Sequence, residues 1–190
     1  MKTKIILFAL FLLSTTQLHA QFIKERSIEA SIGIGYNFPD DDIDLDGSGF
    51  FLQGEYVLKI ASWIDLRPYA GLILVETESE PIEPNNTVYK VTSNAFLIGG
   101  KTRINAPIPY FSPYFEIGIG ASIGSFETFT PFTNIKKNGI AMHIPFSIGV
   151  ALGRKHNFDI AFTYYTHPSL KQVSGAAAIG VSFPLENKKK

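Results

Sequence analysis

The chain has 190 residues, with 17 basic and 17 acidic side chains and no cysteine. That length suits one domain, the lack of cysteine excludes a disulfide framework and a lipidated-cysteine anchor, and the balanced charge excludes the basic footprint of a nucleic-acid binder. Hydrophobic residues make up 45% of the chain and aromatic residues 13%, so the architecture has much apolar surface to dispose of.

Lys2 and Lys4 precede an unbroken apolar run, Ile5 to Leu13, which leads to Leu18-His19-Ala20. A basic start, a short apolar run and a small residue at the end form the pattern of an export signal cut after Ala20. The run is shorter than the ~20 residues a transmembrane helix needs. Residues 1–20 are therefore read as a cleaved signal peptide and 21–190 as a single barrel domain, which keeps 15 basic against 17 acidic residues.

Alternation of period two predicts eight strands, over 26–38, 48–59, 62–75, 88–102, 110–122, 139–152, 156–167 and 174–184. They are long for a soluble domain, where strands average about 5 to 6 residues, and they suit the ~9–11 tilted residues of a transmembrane strand. The links around Ile60-Ala61, Asn105 to Ile108 and Gly153 to Lys155 are short. Those from Pro39 to Gly47, Glu76 to Thr87 and Phe126 to Gly139 are longer and polar or rich in Pro and Asn, and His167 to Val173 is intermediate. Short turns at one end and longer loops at the other are the habit of outer-membrane barrels.

In strand one, Ile28, Ala30, Ile32, Ile34 and Tyr36 share a face against Glu29, Ser31, Gly33, Gly35 and Asn37. Strand five sets Phe115, Ile117, Ile119 and Ala121 against Glu116, Gly118, Gly120 and Ser122, and strand seven sets Phe158, Ile160, Phe162 and Tyr164 against Asp159, Ala161, Thr163 and Tyr165. A bulky apolar face opposite a small or polar one reads as a lipid-facing band around a narrow polar lumen. A soluble barrel would put the bulky face inside. Aromatics fall in two groups at the strand ends: Tyr36, Phe38, Phe50, Tyr89 and Tyr164 by the longer loops, and Trp63, Tyr110, Phe111, Phe158 and Phe183 by the short turns. That placement matches the two aromatic girdles of a membrane barrel.

With this topology and the closing strand Ala177-Ala178-Ile179-Gly180-Val181-Ser182-Phe183, the chain resembles the small eight-stranded outer-membrane barrels of the OmpA-like group over residues 26–184. The resemblance implies an antiparallel up-and-down transmembrane barrel in a Gram-negative outer membrane. Its implied partners are outer-membrane lipid, lipopolysaccharide and, during biogenesis, the outer-membrane assembly machinery. A monomer without nucleic-acid partner is expected.

Strand parity aims Glu29, Glu55, Asp65, Arg67, Lys101, Glu116 and Asp159 into the lumen, with Arg103 near its periplasmic rim. Isolated buried charges cost several kcal/mol, so acids and bases confined together should pair into a plug. A proton or ion path is the sharper alternative, but eight strands leave an interior only wide enough for side chains. His143, on the lumen face of strand six, reads as a hydrogen-bonded interior residue. Gly33, Gly35, Gly99, Gly100, Gly118 and Gly120 read as strand glycines of a tight lumen.

Asp42-x-Asp44-x-Asp46-Gly47 matches the opening half of an EF-hand-type loop, with Gln53 where the bidentate Glu would stand. No cofactor is expected beyond weak calcium or magnesium binding there. Glu76, Glu78, Glu80 and Glu83 make the second loop anionic too, whereas Lys136-Lys137 reads as solvated loop charge.

His167-Pro168-Ser169, at the outer end of strand seven, resembles the His-x-Ser step of the lipid A 3-O-deacylase family. That resemblance implies His167 as base and Ser169 as nucleophile. Leu170 stands where the family has Asn, and no acid lies between His167 and Glu186 to orient the base. The pair is read as a loop-capping His and a turn Ser. The expectation is therefore a non-enzymatic envelope protein displaying extracellular loops for membrane integrity or adhesion, with a lipid A deacylase and a narrow solute channel as alternatives.

Overall fold

The computed structural model describes residues 23–40, 45, 47–76 and 89–185. Its strands are β1 (Glu25–Pro39), β2 (Gly47–Lys59), β3 (Ile64–Glu76), β4 (Lys90–Asn105), β5 (Tyr110–Phe129), β6 (Asn134–Gly153), β7 (Phe158–His167) and β8 (Gln172–Pro184). Each pairs antiparallel with its chain neighbours, and β1 pairs with β8 from Ser27↔Pro184 to Pro39↔Gln172. The sheet closes in sequence order, and closure removes the two edges an open sheet would expose.

The orientation of the faces decides what surrounds the barrel. Ile32, Ile117, Ile148 and Ile160 are 50%, 53%, 49% and 45% exposed, whereas Glu29 and Glu116 are 3% and 1% exposed. The bulky apolar residues are outside and the carboxylates inside, the reverse of a soluble barrel packed around its own side chains. Phe38, Phe50 and Tyr164 face outward near one end, and Trp63, Tyr110, Phe111, Phe158 and Phe183 near the other. A belt of this extent, bordered by aromatics, suits hydrocarbon and would be a liability in water.

Strands five and six run further than their pattern predicts. The stretch expected as a loop, Phe126 to Gly139, is the outer part of a hairpin that pairs from Tyr110↔Gly153 to Phe129↔Asn134. Its turn is Thr130 to Thr133, where the Thr133 N–H donates to Thr130 Oγ1 (2.9 Å) and the Thr130 N–H to the Thr133 carbonyl (2.8 Å). Lys136 and Lys137 therefore lie in β6 and not in a loop. The extension is supported on the β5 side, where β4 follows β5 up to Lys90↔Phe129, and within the hairpin Lys136 on β6 lies 3.5 Å from Glu127 on β5. The link after β7 is a tight turn in which the Leu170 N–H donates to the His167 carbonyl (3.0 Å), with Lys171 at φ 49°. The signal segment and the loop positions Asp42, Asp44, Asp46, Glu78, Glu80 and Glu83 lie outside the described residues.

Candidate functional site: the lumen and its mouth

The inward faces of β1 to β5 and β7 converge on a cluster of buried charges in the half of the lumen nearer the short turns. Arg67 is its centre, reaching Glu29 (2.6 Å), Glu55 (2.8 Å) and Glu116 (3.2 Å). Lys101 bridges Glu55 (2.6 Å) and Glu116 (2.7 Å), and Arg103 joins Glu116 (2.6 Å) to Asp159 (2.9 Å). Register explains why the cluster needs both sides of the lumen. Glu29 is paired with Glu55, and Arg67 with Lys101. Like charges directly opposite on adjacent strands repel, so each pair depends on the opposite pair across the interior.

Neutral donors and rings complete the packing. Gln53 Nε2 donates to Glu55 (2.7 Å), Ser182 Oγ to Glu29 (2.8 Å), and Tyr165 OH to Gln53 (2.6 Å). The Arg103 guanidinium lies 3.6 Å from the centre of the Tyr114 ring, a cation–π contact. The space left inside the cluster is about 20 Å³, little more than one water.

Beyond the charges, a hydrogen-bonded stack crosses the barrel. Ser122 Oγ is 2.7 Å from His143 Nδ1 and 2.8 Å from His167 Nε2, and His143 Nε2 meets the Tyr69 hydroxyl. Gly120 makes the stack possible, because a Cβ there would collide with the Tyr69 hydroxyl and His143 Nε2. Outside this layer an apolar cluster of Phe51, Ile73, Val75, Leu97, Phe126 and Leu170 is buried among buried polar side chains that include Asn37, Ser93, Thr128, Gln172 and Ser174. The turn after β7 tucks in as a lid, and Thr128 Oγ1 donates to the Leu170 carbonyl (3.1 Å). The charges of the expected polar interior thus lie only in the half toward the short turns, while in the outer half large apolar side chains such as Phe51, Ile73, Val75 and Leu97 join small and polar ones.

The structure brings Glu29, Glu55, Arg67, Lys101, Glu116 and Asp159 into one cluster. Arg103, expected at the rim, lies inside that cluster. Asp65 is inward and 8% exposed but makes no ion pair among the described residues, and its Oδ1 has no hydrogen-bond partner. His167 is a lumen residue bound to Ser122, not a loop cap, because parity at the end of β7 turns it inward. Ser169 is exposed on the turn beyond it. No hydrogen bond joins the two among the described residues, so the arrangement does not assemble a nucleophile with its base. Ser122, which does touch both histidines, is sealed from solvent.

On the short-turn side the charge cluster floors an open vestibule of about 870 Å³, lined by Arg26, Lys59, Asp65, Arg103, Arg154 and Lys155 among others. Its volume lies in the size range of small-molecule sites.

No family model matches the sequence, and neither does any curated protein. Among solved structures the chain is similar to Neisserial surface protein A, with TM-score 0.56 and 12% identity over 84% of this chain and 97% of that one. It is also similar to Ail, the attachment invasion locus protein of Yersinia pestis, with TM-score 0.49 and 15% identity over 85% and 98% of the two chains. OprG from Pseudomonas aeruginosa aligns with TM-score 0.49 and 11% identity over 85% and 97%. Likeness at these identities is likeness of fold. With its closed eight-strand sheet and apolar exterior, the chain is an antiparallel up-and-down transmembrane β-barrel. Its neighbours of known structure are small eight-stranded outer-membrane barrels.

Proposed function

We propose that this protein is a non-enzymatic barrel of the small OmpA-like group, exported by its N-terminal signal and embedded in the bacterial outer membrane. It serves as a rigid support that displays its outer surface for envelope integrity or adhesion. The observation that carries this reading is the closed lumen. An apolar plug capped by Leu170 seals the outer half, and a charge cluster with about 20 Å³ of free space blocks the inner half. A transport route needs a continuous polar path, and catalysis needs an accessible nucleophile beside its base. The β5–β6 hairpin and the two acidic outer loops are what such a barrel has to present. Lipid, lipopolysaccharide and the assembly machinery are its proposed partners. Weak calcium or magnesium binding at Asp42, Asp44 and Asp46 remains part of the proposal, since three carboxylates in one turn repel unless a cation screens them.

Planar-bilayer recording of the purified protein tests the reading. We expect no unitary conductance. Steady single-channel steps that Glu116→Ala abolishes would establish a channel instead. Acyl release from lipopolysaccharide, compared between wild type and Ser169→Ala, tests the enzymatic alternative, and we expect no Ser169-dependent release.

A further inference from the structure

We infer that the vestibule at the short-turn end binds a small zwitterion, an amino acid or short peptide whose ammonium group meets Asp65 while its carboxylate meets cations at the rim. Three observations carry this. The vestibule is a dead end of about 870 Å³, within the size range of small-molecule sites, and closed toward the outside by the charge cluster. Asp65 stands in its wall one residue into β3, buried, with a carboxylate oxygen that has no hydrogen-bond partner. Buried carboxylate oxygens are ordinarily satisfied, and here the three lumen cations are already shared among Glu29, Glu55, Glu116 and Asp159. The remaining lining supplies the opposite charge: Arg26, Arg154 and Lys155 are exposed and form no ion pair with any described residue, while Lys59 is engaged with Glu25.

The charge arrangement selects the ligand class. A simple anion drawn to the rim would be repelled by Asp65, and a simple cation drawn to Asp65 would have to pass Arg26, Arg154 and Lys155. A molecule carrying both charges satisfies both and lends the orphaned oxygen a donor. With the outer half sealed, such a ligand enters and leaves by the same mouth, so this is a binding site and not a stage of passage.

The test uses the full-length barrel in a non-ionic detergent and follows its amide signals by NMR. The probes are alanyl-alanine, N-acetyl-alanyl-alanine and alanyl-alanine amide. Free alanyl-alanine should give saturable shifts in residues around Asp65 and Arg154, at least about tenfold weaker with either blocked form, since each loses one charged contact. Asp65→Asn should remove the advantage of the free amine, and the double variant Arg154→Gln/Lys155→Gln should remove that of the free carboxylate. The double variant changes only exposed turn residues and leaves the barrel intact. Equal binding of the blocked forms, absence of saturable shifts, or shifts unmoved by both variants would overturn the inference.

Discussion

Arg67 and its three carboxylates show how single residues hold the lumen together. The cluster sets four acids against three bases, and Arg67 alone touches Glu29, Glu55 and Glu116. Removing it leaves those carboxylates with Lys101 and Arg103 in a closed interior, a loss of the kind that costs about 3–5 kcal/mol. Arg67→Met should therefore lower the urea midpoint of the barrel in lipid vesicles sharply. Glu29→Gln removes an acid from the side already in excess and keeps the shape, so it should cost clearly less; the reverse order would show that the cluster does not govern stability. Glycine gives a second contrast. A Cβ at Gly120 would meet the Tyr69 hydroxyl and His143, while one at Gly100 would meet nothing within 4 Å. Gly120→Ala should destabilise by roughly 1–3 kcal/mol, and Gly100→Ala should stay within about 0.5 kcal/mol, as read from the same unfolding curves.

At the scale of elements, the outward faces of the strands divide by depth. Ile148 lies at the middle of the β6–β7 pairing on the lipid side, where an arginine should cost about 2–4 kcal/mol. Phe132, 77% exposed in the turn of the β5–β6 hairpin, stands clear of that band. Ile148→Arg should impair folding into vesicles while Phe132→Arg folds as wild type, by the heat-dependent gel mobility of folded barrels. The same division explains what could be read from the chain alone. In β1, β5 and β7 large apolar residues alternate with Gly, Ser and acids, so strand, face and lumen charges are all legible. In β2 to β4 both parities are apolar near the outer end: Phe51, Ile73, Val75 and Leu97 point in while Leu52, Leu74 and Phe96 point out. Pattern alone offers no contrast there, and the apolar plug is invisible before the strands are paired. Pro131, Asn134 and Asn138-Gly139 read locally as loop residues, yet hairpin pairing extends β5 and β6 through most of them. Asp65 is legible as inward, but its isolation from the cluster depends on how far the side chains of Arg67 and Arg103 reach, which no periodicity encodes.

The whole molecule is polarised along its axis, with apolar packing toward the long-loop end, charges next, and an open basic-rimmed mouth at the short-turn end. Swapping the character of the two ends should be poorly tolerated. Leu97→Glu would put an acid into the apolar cluster, opposite Ser122 on β5, and should prevent or strongly weaken folding. The conservative Leu97→Met should retain it, by the same gel-mobility measurement.

The order in which the sheet closes follows from the reach of its longest hairpin. Glu127 and Lys136 on β5 and β6 are only 9 residues apart in the chain, whereas Glu29 and Ser182, which join β1 to β8, are separated by 153. Bringing the second pair together forfeits about 2–3 kcal/mol more chain entropy than the first. Local contacts form early and distant ones late, so the β5–β6 ribbon is the natural nucleus and the β1–β8 seam the final step. Until that seam shuts, the contacts that cross the lumen or the seam, Arg103 with Asp159 and Ser182 with Glu29, are not made. Zipping the last two strands and neutralising the interior are therefore a single cooperative event.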